Sequence, residues 1–228
     1  MRAAIMQPYL FPYLGYFQLI RSVDTFVVYD DVQYIKGGRI NRNHILSNEQ
    51  KKLITLPLKA ASPNKLINEI EIERNHNILH TILLNYKEAP YFDSVFPIIE
   101  DILKYSNDNL ACFLNYQLKK ISTYLGITPD WHISSSLKKD NSLRGQEKVL
   151  AICKEIGASH YINAAGGRAL YDENSFSKEG IRLSFIQSND IIYPQFKEKF
   201  TSNLSIIDVM MFNHPIQCMK LLDEYEIS

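Results

Sequence analysis

The sequence has few of the features that mark several large classes of protein. It has only three cysteines in 228 residues, far apart and without a CxxC pair, which excludes a disulfide framework and a structural zinc site. No apolar run approaches the roughly 20 residues of a membrane-spanning helix, and Gln7 and Pro8 interrupt the apolar start before a signal peptide could form. These features predict a cytoplasmic protein without a membrane span.

An excess of charge of either sign is also lacking. The 25 Lys and Arg residues equal the 25 Asp and Glu residues, which disfavours a protein that coats nucleic acid. The chain contains no P-loop, no G-x-S-x-G elbow and no G-x-G-x-x-G fingerprint. His76 and His80 have a metal-ligand spacing, but no third ligand is evident, so no metal site is predicted. The composition is that of an ordinary globular protein.

Both ends of the chain alternate between strand and helix patterns. Residues 2–6 read as a short apolar strand, a helix with an apolar face begins at Leu14, and residues 25–29 form a second buried strand. Near the end, strands are predicted at 131–134, 159–163 and 181–186, and helices at 144–156, 205–212 and 215–225. Strands joined by helices pair in parallel, and their ligands gather at the carboxyl ends. The sequence therefore predicts an α/β fold with a parallel-sheet, Rossmann-like core.

The middle of the chain has a different pattern. Residues 40–46 and 53–58 predict a hairpin around the polar segment 47–52, and residues 76–126 have helical periodicity. No linker or repeat is evident. We therefore expect residues 1–228 to form a single α/β domain, with a β-hairpin and a helical subdomain inserted around 37–126.

The loop after the first predicted strand is the strongest local signal. It reads QPYLFPY from Gln7, and a glycine and a tyrosine follow at the start of the helix. The prolines stiffen the loop, Gly15 lets a ligand approach the backbone, and free amides at a helix start favour anions. Simple packing of the aromatic rings under the loop explains the pattern equally well. The candidate binding residues here are Gln7, Tyr9, Gly15 and Tyr16.

Polar residues also follow the second predicted strand, where a ligand of a parallel sheet is expected. Carboxylates, amides and cations at this position can hold a sugar hydroxyl or position a nucleophilic amine. A solvated turn with a capping aspartate is the structural alternative. The candidates are Asp30, Asp31, Gln33, Lys36, Asn41, Arg42 and Asn43.

Two further segments carry candidate binding residues. Asn163 precedes a turn with Gly166, Gly167 and Arg168, which suits an anion cradled by backbone amides, although an ordinary turn explains the glycines nearly as well. Near the end of the chain, Tyr193 and Gln195 flank a proline, and the segment LSIID follows at 204–208.

Taken together, these segments resemble the WbqC-like family, which occurs in bacterial gene clusters for O-antigen and other surface polysaccharides. The matching pieces are AIMQPY at 4–9, GYF at 15–17, residues 24–33, NRN at 41–43, AGG at 165–167, YPQ at 193–195 and LSIID at 204–208. The resemblance covers nearly the whole chain in order. It implies a role in polysaccharide biosynthesis, with glycine transfer to an amino sugar as the suggested activity, and it supplies no set of catalytic residues.

The opening layout is also similar to that of nucleotidylyltransferases and adenylating enzymes of the HIGH-signature superfamily. In those enzymes a Gly-His pair touches the nucleotide phosphates, whereas here the pair is Gly15-Tyr16. The segment 177–180, SKEG, only weakly resembles their lysine loop. The likeness implies a nucleotidylyltransferase-like core and leaves adenylate formation unsupported.

The expected function is therefore transfer of an aminoacyl group to the amine of a nucleotide-linked amino sugar, and glycyl is the first candidate for that group. The reaction needs a neutral amine, so Asp30 or Asp31 is expected to accept its proton, while donors such as Gln7 steady the oxyanion. The identity of the aminoacyl donor stays open, and aminoacyl-tRNA is one candidate. Any cofactor and the oligomeric state stay open as well. The alternatives are an ATP-dependent adenylating ligase or nucleotidylyltransferase, and a noncatalytic module that binds a sugar nucleotide or nucleic acid.

Overall fold

A computed structural model describes residues 1–197 and 199–228. A six-stranded sheet forms the centre of the described chain, and two small two-stranded sheets lie beside it. The strands are β1 (Arg2–Met6), β2 (Thr25–Val28), β3 (Arg42–Ser47), β4 (Gln50–Thr55), β5 (Leu58–Lys59), β6 (Glu71–Ile72), β7 (Asp130–Ile133), β8 (His160–Ala164), β9 (Arg182–Ser188) and β10 (Tyr225–Ile227).

Helices pack against this sheet and fill the segment between β2 and β7. They are α1 (Leu14–Arg21), α2 (Ile78–Tyr86), α3 (Phe92–Leu103), α4 (Leu110–Tyr124), α5 (Gly145–Glu155), α6 (Glu173–Lys178), α7 (Ile206–Phe212) and α8 (Pro215–Leu222). Across the described residues, no helix has both the length and the apolar character that crossing a bilayer requires.

The strand order of the central sheet is β10-β9-β8-β1-β2-β7, and all neighbours are parallel except β10 and β9. The chain winds from β1 through β2 to β7 and then returns to the other side of β1 to form β8 and β9. The winding direction thus reverses between β1 and β8. These two strands are paired at only two positions, Arg2 with His160 and Ala3 with Tyr161. The predicted Rossmann-like α/β fold is confirmed, and it has its switch point between β1 and β8, where such folds bind ligands.

Apolar side chains cover both faces of the sheet. Along β1, Ala3 and Ile5 belong to one buried cluster, which includes Val149 of α5, whereas Ala4 belongs to another, which includes Phe17 of α1. Successive residues of a strand point to opposite faces, so a short apolar run is buried on both sides. The result is a helix–sheet–helix arrangement in which the central strands are shielded from water.

The inserted hairpin is tighter than the sequence pattern predicts. Its turn is only Asn48 and Glu49, both with left-handed φ values of 49° and 64°. Two consecutive residues in this conformation match the twist of the flanking strands. The polar Gln50, Lys51 and Lys52 consequently belong to strand β4 and not to a loop, because a solvent-facing strand tolerates polar side chains.

Two short elements carry no clear sequence signal. Strand β10 is three residues long and is recognisable only through its antiparallel pairing with β9. Helix α6 contains Ser177 and Lys178, and Gly180 follows it with a φ of 71°. The segment 177–180, which weakly resembles a lysine loop in sequence, is therefore the end of a helix, and a glycine with a left-handed φ terminates that helix in the usual way.

Candidate functional site

A cleft of about 1170 Å³ opens at the switch point of the sheet. Its walls include Met6 and Gln7 at the end of β1, and Asn163 and Ala164 at the end of β8. The first turn of α1 contributes Gly15, and the first turn of α5 contributes Gly145 and Gln146. A helix start directs unpaired backbone amides towards the cleft, which favours a negatively charged ligand.

Aromatic rings form much of the inner wall. Tyr9 packs edge-on against Tyr16, with ring centroids 5.2 Å apart, and tilts against Tyr13 at 6.2 Å. Tyr16 is almost wholly buried and donates its hydroxyl to the Gln7 carbonyl at 3.1 Å. The Tyr9 hydroxyl is buried and forms no hydrogen bond with the residues that the structure describes. The Tyr13 ring, which is 37% exposed, offers a flat surface for a sugar or base.

Basic side chains line the same cleft from the hairpin and from the segment before it. The cations Arg39 and Lys51 and the imidazole of His44 all contribute to its wall. His44 lies opposite Leu53 in the hairpin, so Lys51 is its diagonal neighbour on the same face of the two strands. No aspartate or glutamate is among the described residues that line this cleft. Its charge therefore suits an anion such as a diphosphate.

A cluster of buried charges lies next to Tyr29 in the cleft wall. The carboxylate Oδ2 of Asp31 lies 2.9 Å from the ammonium group of Lys139 and 3.0 Å from that of Lys148. Lys148 also donates to the Asp31 carbonyl at 2.7 Å and lies 5.4 Å from the ring centre of Tyr29, which lines the cleft. With the adjacent buried carboxylate of Asp30, the two ammonium groups face two carboxylates, so this cluster carries no net charge.

The glycine turn provides an open stretch of backbone at the cleft. A side chain at Gly166 would meet no atom within 4 Å, whereas a Cβ at Gly167 would lie 2.7 Å from the Asn163 amide nitrogen. Neither glycine has a left-handed φ. Gly166 is thus free of side-chain bulk where the cleft is open, and Gly167 is needed for close packing on Asn163.

The two aspartates expected to accept a proton lie outside this cleft. Asp30 is 3% exposed, and its carboxylate accepts hydrogen bonds from Ser135 N at 2.9 Å, Ser135 Oγ at 2.6 Å and Asn68 Nδ2 at 3.3 Å. Burial raises the pKa of Asp31, but its polar partners, Lys139 and Lys148 among them, outweigh burial and lower this pKa overall. Both carboxylates are occupied in holding the loop after β2 to neighbouring segments.

Several other predicted residues also serve the fold in this structure. Asn41 donates to the Leu56 carbonyl at 2.7 Å, and Asn43 donates to the Phe11 carbonyl at 2.7 Å. Asn43 thereby fixes the loop that carries Tyr9, although it does not line the cleft. Gln33, Lys36 and Arg42 do not line the cleft either.

The predicted residues near the end of the chain are divided between two roles. Arg168 turns away from the cleft, since it donates to Ser228 Oγ at 2.6 Å and its guanidinium lies 4.5 Å from the ring centre of Phe185. Tyr193 and Gln195 both donate to the buried carboxylate of Asp208, at 2.7 and 2.6 Å. The Tyr193 ring also lines a second, smaller cleft.

The structure brings together seven of the predicted residues at the large cleft: Gln7, Tyr9, Gly15, Tyr16, Asn163, Gly166 and Gly167. The sequence patterns did not point to Arg39, which precedes the hairpin, or to His44 and Lys51, which lie in it. The alternation of polar residues along this hairpin shows which side chains share a face, but only its packing beside the sheet shows that this face meets the switch point.

A valine at Gly166 is expected to weaken binding of a UDP-linked amino sugar by about tenfold or more. Its side chain would enter the cleft, and a steric penalty of about 1–3 kcal/mol is typical of overfilled space. The fold should be unaffected, because the backbone at Gly166 is not left-handed. Calorimetric titration measures the affinity, and Ala169→Val, in the same exposed turn but outside both clefts, is the control. Equal affinities for wild type and Gly166→Val would contradict binding at this turn.

Comparison with known proteins gives one family and one uncharacterized relative. The uncharacterized protein Rv1507c of Mycobacterium tuberculosis is 28% identical over 220 residues, which cover 93% of each chain. No solved structure matches the chain. The family model described as the WbqC-like protein family matches residues 7–219, which include every part of the large cleft except Ile5 and Met6. The chain therefore belongs to the WbqC-like protein family.

Proposed function

We propose that this protein transfers an aminoacyl group, in the first instance glycyl, to the amine of a nucleotide-linked amino sugar during assembly of a surface polysaccharide. The observation that carries the proposal is the large switch-point cleft, which combines cations, tyrosine rings and open glycine backbone. A nucleotide-linked sugar needs all three: cations for its diphosphate, flat surfaces for its rings and close backbone for its oxygens. Membership of the WbqC-like family supports the link to polysaccharides.

The diphosphate is placed on the hairpin side of the cleft. Arg39 and Lys51 supply positive charge there. Phosphate binding needs such positive potential because the ligand carries two negative charges out of bulk water. The sugar then reaches towards Gln7 and the glycine turn.

The proton acceptor in this proposal is His44. It lines the cleft, and the unprotonated nitrogen of an imidazole can accept a proton from an attacking amine. Asp30 and Asp31 would first have to give up the hydrogen bonds and ion pairs that hold them. The Gln7 side chain, which forms no hydrogen bond with the described residues, can donate its amide to the oxyanion.

The cytoplasm is the proposed site of the reaction. Nucleotide-linked sugars are cytoplasmic metabolites, and Cys112, Cys153 and Cys218 are free thiols in the structure. Free thiols persist in a reducing compartment.

The adenylating alternative has less support from the site. Tyr16, which stands where the HIGH-signature enzymes have their histidine, is buried and bonded to the Gln7 carbonyl. The segment 177–180 closes a helix and does not form a mobile loop against the cleft. We therefore expect no amino-acid-dependent exchange of pyrophosphate into ATP, and such exchange would favour a ligase over a transferase.

The direct test is a mass measurement of the sugar product. Purified protein is incubated with a UDP-linked amino sugar and with glycyl-tRNA or a glycyl thioester in separate reactions. A gain of one glycyl residue on the sugar with either donor is the expected result. Binding of the sugar nucleotide without any product for both donors would instead identify a noncatalytic binding module.

A further inference from the structure

We propose that the smaller cleft binds the α-ammonium group of the aminoacyl donor, with Asp190 as its counter-ion. This inference rests on the aminoacyl transfer proposed above and assigns a binding site to the second substrate, the aminoacyl donor. The smaller cleft has a volume of about 570 Å³. It shares five wall residues with the large cleft, namely Tyr13, Gly15, Ala164, Gly166 and Asn203. Ligands in the two clefts would therefore meet across a common wall.

The two clefts differ in the sign of their charge. Asp190 is the one charged side chain among the described residues that line the smaller cleft, whereas the large cleft has cations and no carboxylate. Asp190 is exposed and makes no hydrogen bond or ion pair with the described residues. Opposite potentials in adjoining clefts favour an anionic ligand in one and a cationic group in the other. An aminoacyl ester or thioester carries such a cation on the carbon next to its reactive carbonyl.

The shared wall leaves room for the two reacting groups to approach each other. Both Gly15 and Gly166 lie on it without side chains. A Cβ at Gly15 would lie 2.7 Å from Ser188 Oγ and 2.8 Å from the Tyr13 ring, so no larger residue fits there. At Gly166 the space is open. The space beside Gly15 is thus filled, and Gly166 is the position where the wall leaves a gap through which a carbonyl on one side can approach an amine on the other.

The far side of the smaller cleft is apolar and firmly held. Tyr193 and Phe200 contact each other edge-on, with ring centroids 5.0 Å apart, and both line the cleft. The Tyr193 hydroxyl is bound to Asp208, which also accepts a hydrogen bond from Tyr86 at 2.8 Å. This network fixes the position of the Tyr193 ring in the cleft wall.

The transfer step balances with these two sites. The neutral amine of the sugar attacks the carbonyl carbon of the donor, and a carbon–nitrogen bond forms. The bond from that carbon to the donor oxygen or sulfur breaks, and the proton taken from the amine by His44 goes to this leaving group. The products are an amide and a free hydroxyl or thiol, so no oxidant or reductant is needed.

Nuclear magnetic resonance of isotope-labelled protein tests the assignment without turnover. The probes are glycinamide, which carries the ammonium and the carbonyl, and N-acetylglycinamide, which lacks the charge, both at matched ionic strength. We expect glycinamide to shift the backbone amides of residues 188–191 and 202–203 in a saturable way, and N-acetylglycinamide to leave them unchanged. Asp190→Asn is expected to weaken glycinamide binding at least tenfold. Asp93→Asn, an exposed aspartate on α3, is the control and should not change it.

The outcomes separate this inference from the proposed function. Glycinamide shifts that are absent near residue 190, or that are unchanged in Asp190→Asn, would overturn the ammonium site. A UDP-linked amino sugar titrated into the same sample reports on the large cleft through residues 163–167. Shifts there in the absence of a glycinamide site would refute only the inference. Specific glycinamide binding with no glycyl transfer to the sugar would support the site and refute the transfer.

Discussion

Asp31→Asn is expected to lower the free energy of unfolding by about 3 kcal/mol, the lower end of the cost of breaking a buried ion pair. The carboxylate lies within 3.0 Å of both Lys139 and Lys148, whose side chains are 0% and 3% exposed. Without it, the two buried ammonium groups lose the carboxylate that pairs with both. Urea unfolding followed by circular dichroism measures the change.

A second substitution distinguishes loss of the ion pairs from a general packing defect. The double variant Asp31→Asn/Lys148→Met removes one of the stranded cations, so it should be more stable than Asp31→Asn alone. Asp101→Asn, which breaks the exposed pair with Lys120, should cost less than about 1 kcal/mol. A double variant no more stable than Asp31→Asn would show that charge is not the cause.

The effect of Asp31→Asn should also depend on pH. The surrounding ammonium groups lower the pKa of the Asp31 carboxyl below its ordinary value of 3.8 in spite of burial. A carboxyl with a lowered pKa stabilises the fold above its unfolded-state pKa, and that stabilisation is lost as the pH falls through the folded-state pKa. The stability difference between wild type and Asp31→Asn should accordingly be constant near neutral pH and should shrink below about pH 4.

His44→Gln is expected to lower turnover by about 10²- to 10⁴-fold, the usual contribution of a general base. Glutamine keeps a polar side chain on the cleft wall but cannot take the proton of the amine. The Michaelis constant for the sugar nucleotide should change little, since Arg39 and Lys51 remain.

His80→Gln provides the matched control, because His80 is exposed on α2 and lies away from both clefts. Its turnover should equal that of the wild type. If folded His44→Gln turned over at the wild-type rate, His44 would not be the proton acceptor. The search for the acceptor would then return to the carboxylates after β2.

Local sequence patterns were sufficient for most elements of the fold. Short apolar runs predicted the parallel strands, since a strand buried on both faces has no polar positions. Helical apolar periodicity predicted the region 76–126, which contains α2 to α4 in the structure. Strand β10 was missed because its existence depends on the edge of β9 and not on its own three residues.

The candidate site, like the fold, was predicted in part from local sequence patterns. The sequence determined that Gln7, Asn163 and Gly166 follow apolar strands, and the rule that ligands bind at carboxyl strand ends brought them together correctly. It could not tell that Asp30 and Asp31 face other partners, because adjacent residues after a strand diverge to different neighbours. Ser135 and Lys148, which hold them, are more than 100 residues away along the chain.

The sequence by itself determined the α/β class, the family and the strand ends that form the cleft, because these depend on local patterns and ordered motifs. Only the tertiary structure decided which polar side chains reach the cleft and which hold the fold. A hairpin inserted between β2 and β7 places His44 and Lys51 beside strands with which they share no local pattern. Such placement follows from packing between segments that are distant in the sequence, and the spacing of residues along the chain does not predict it.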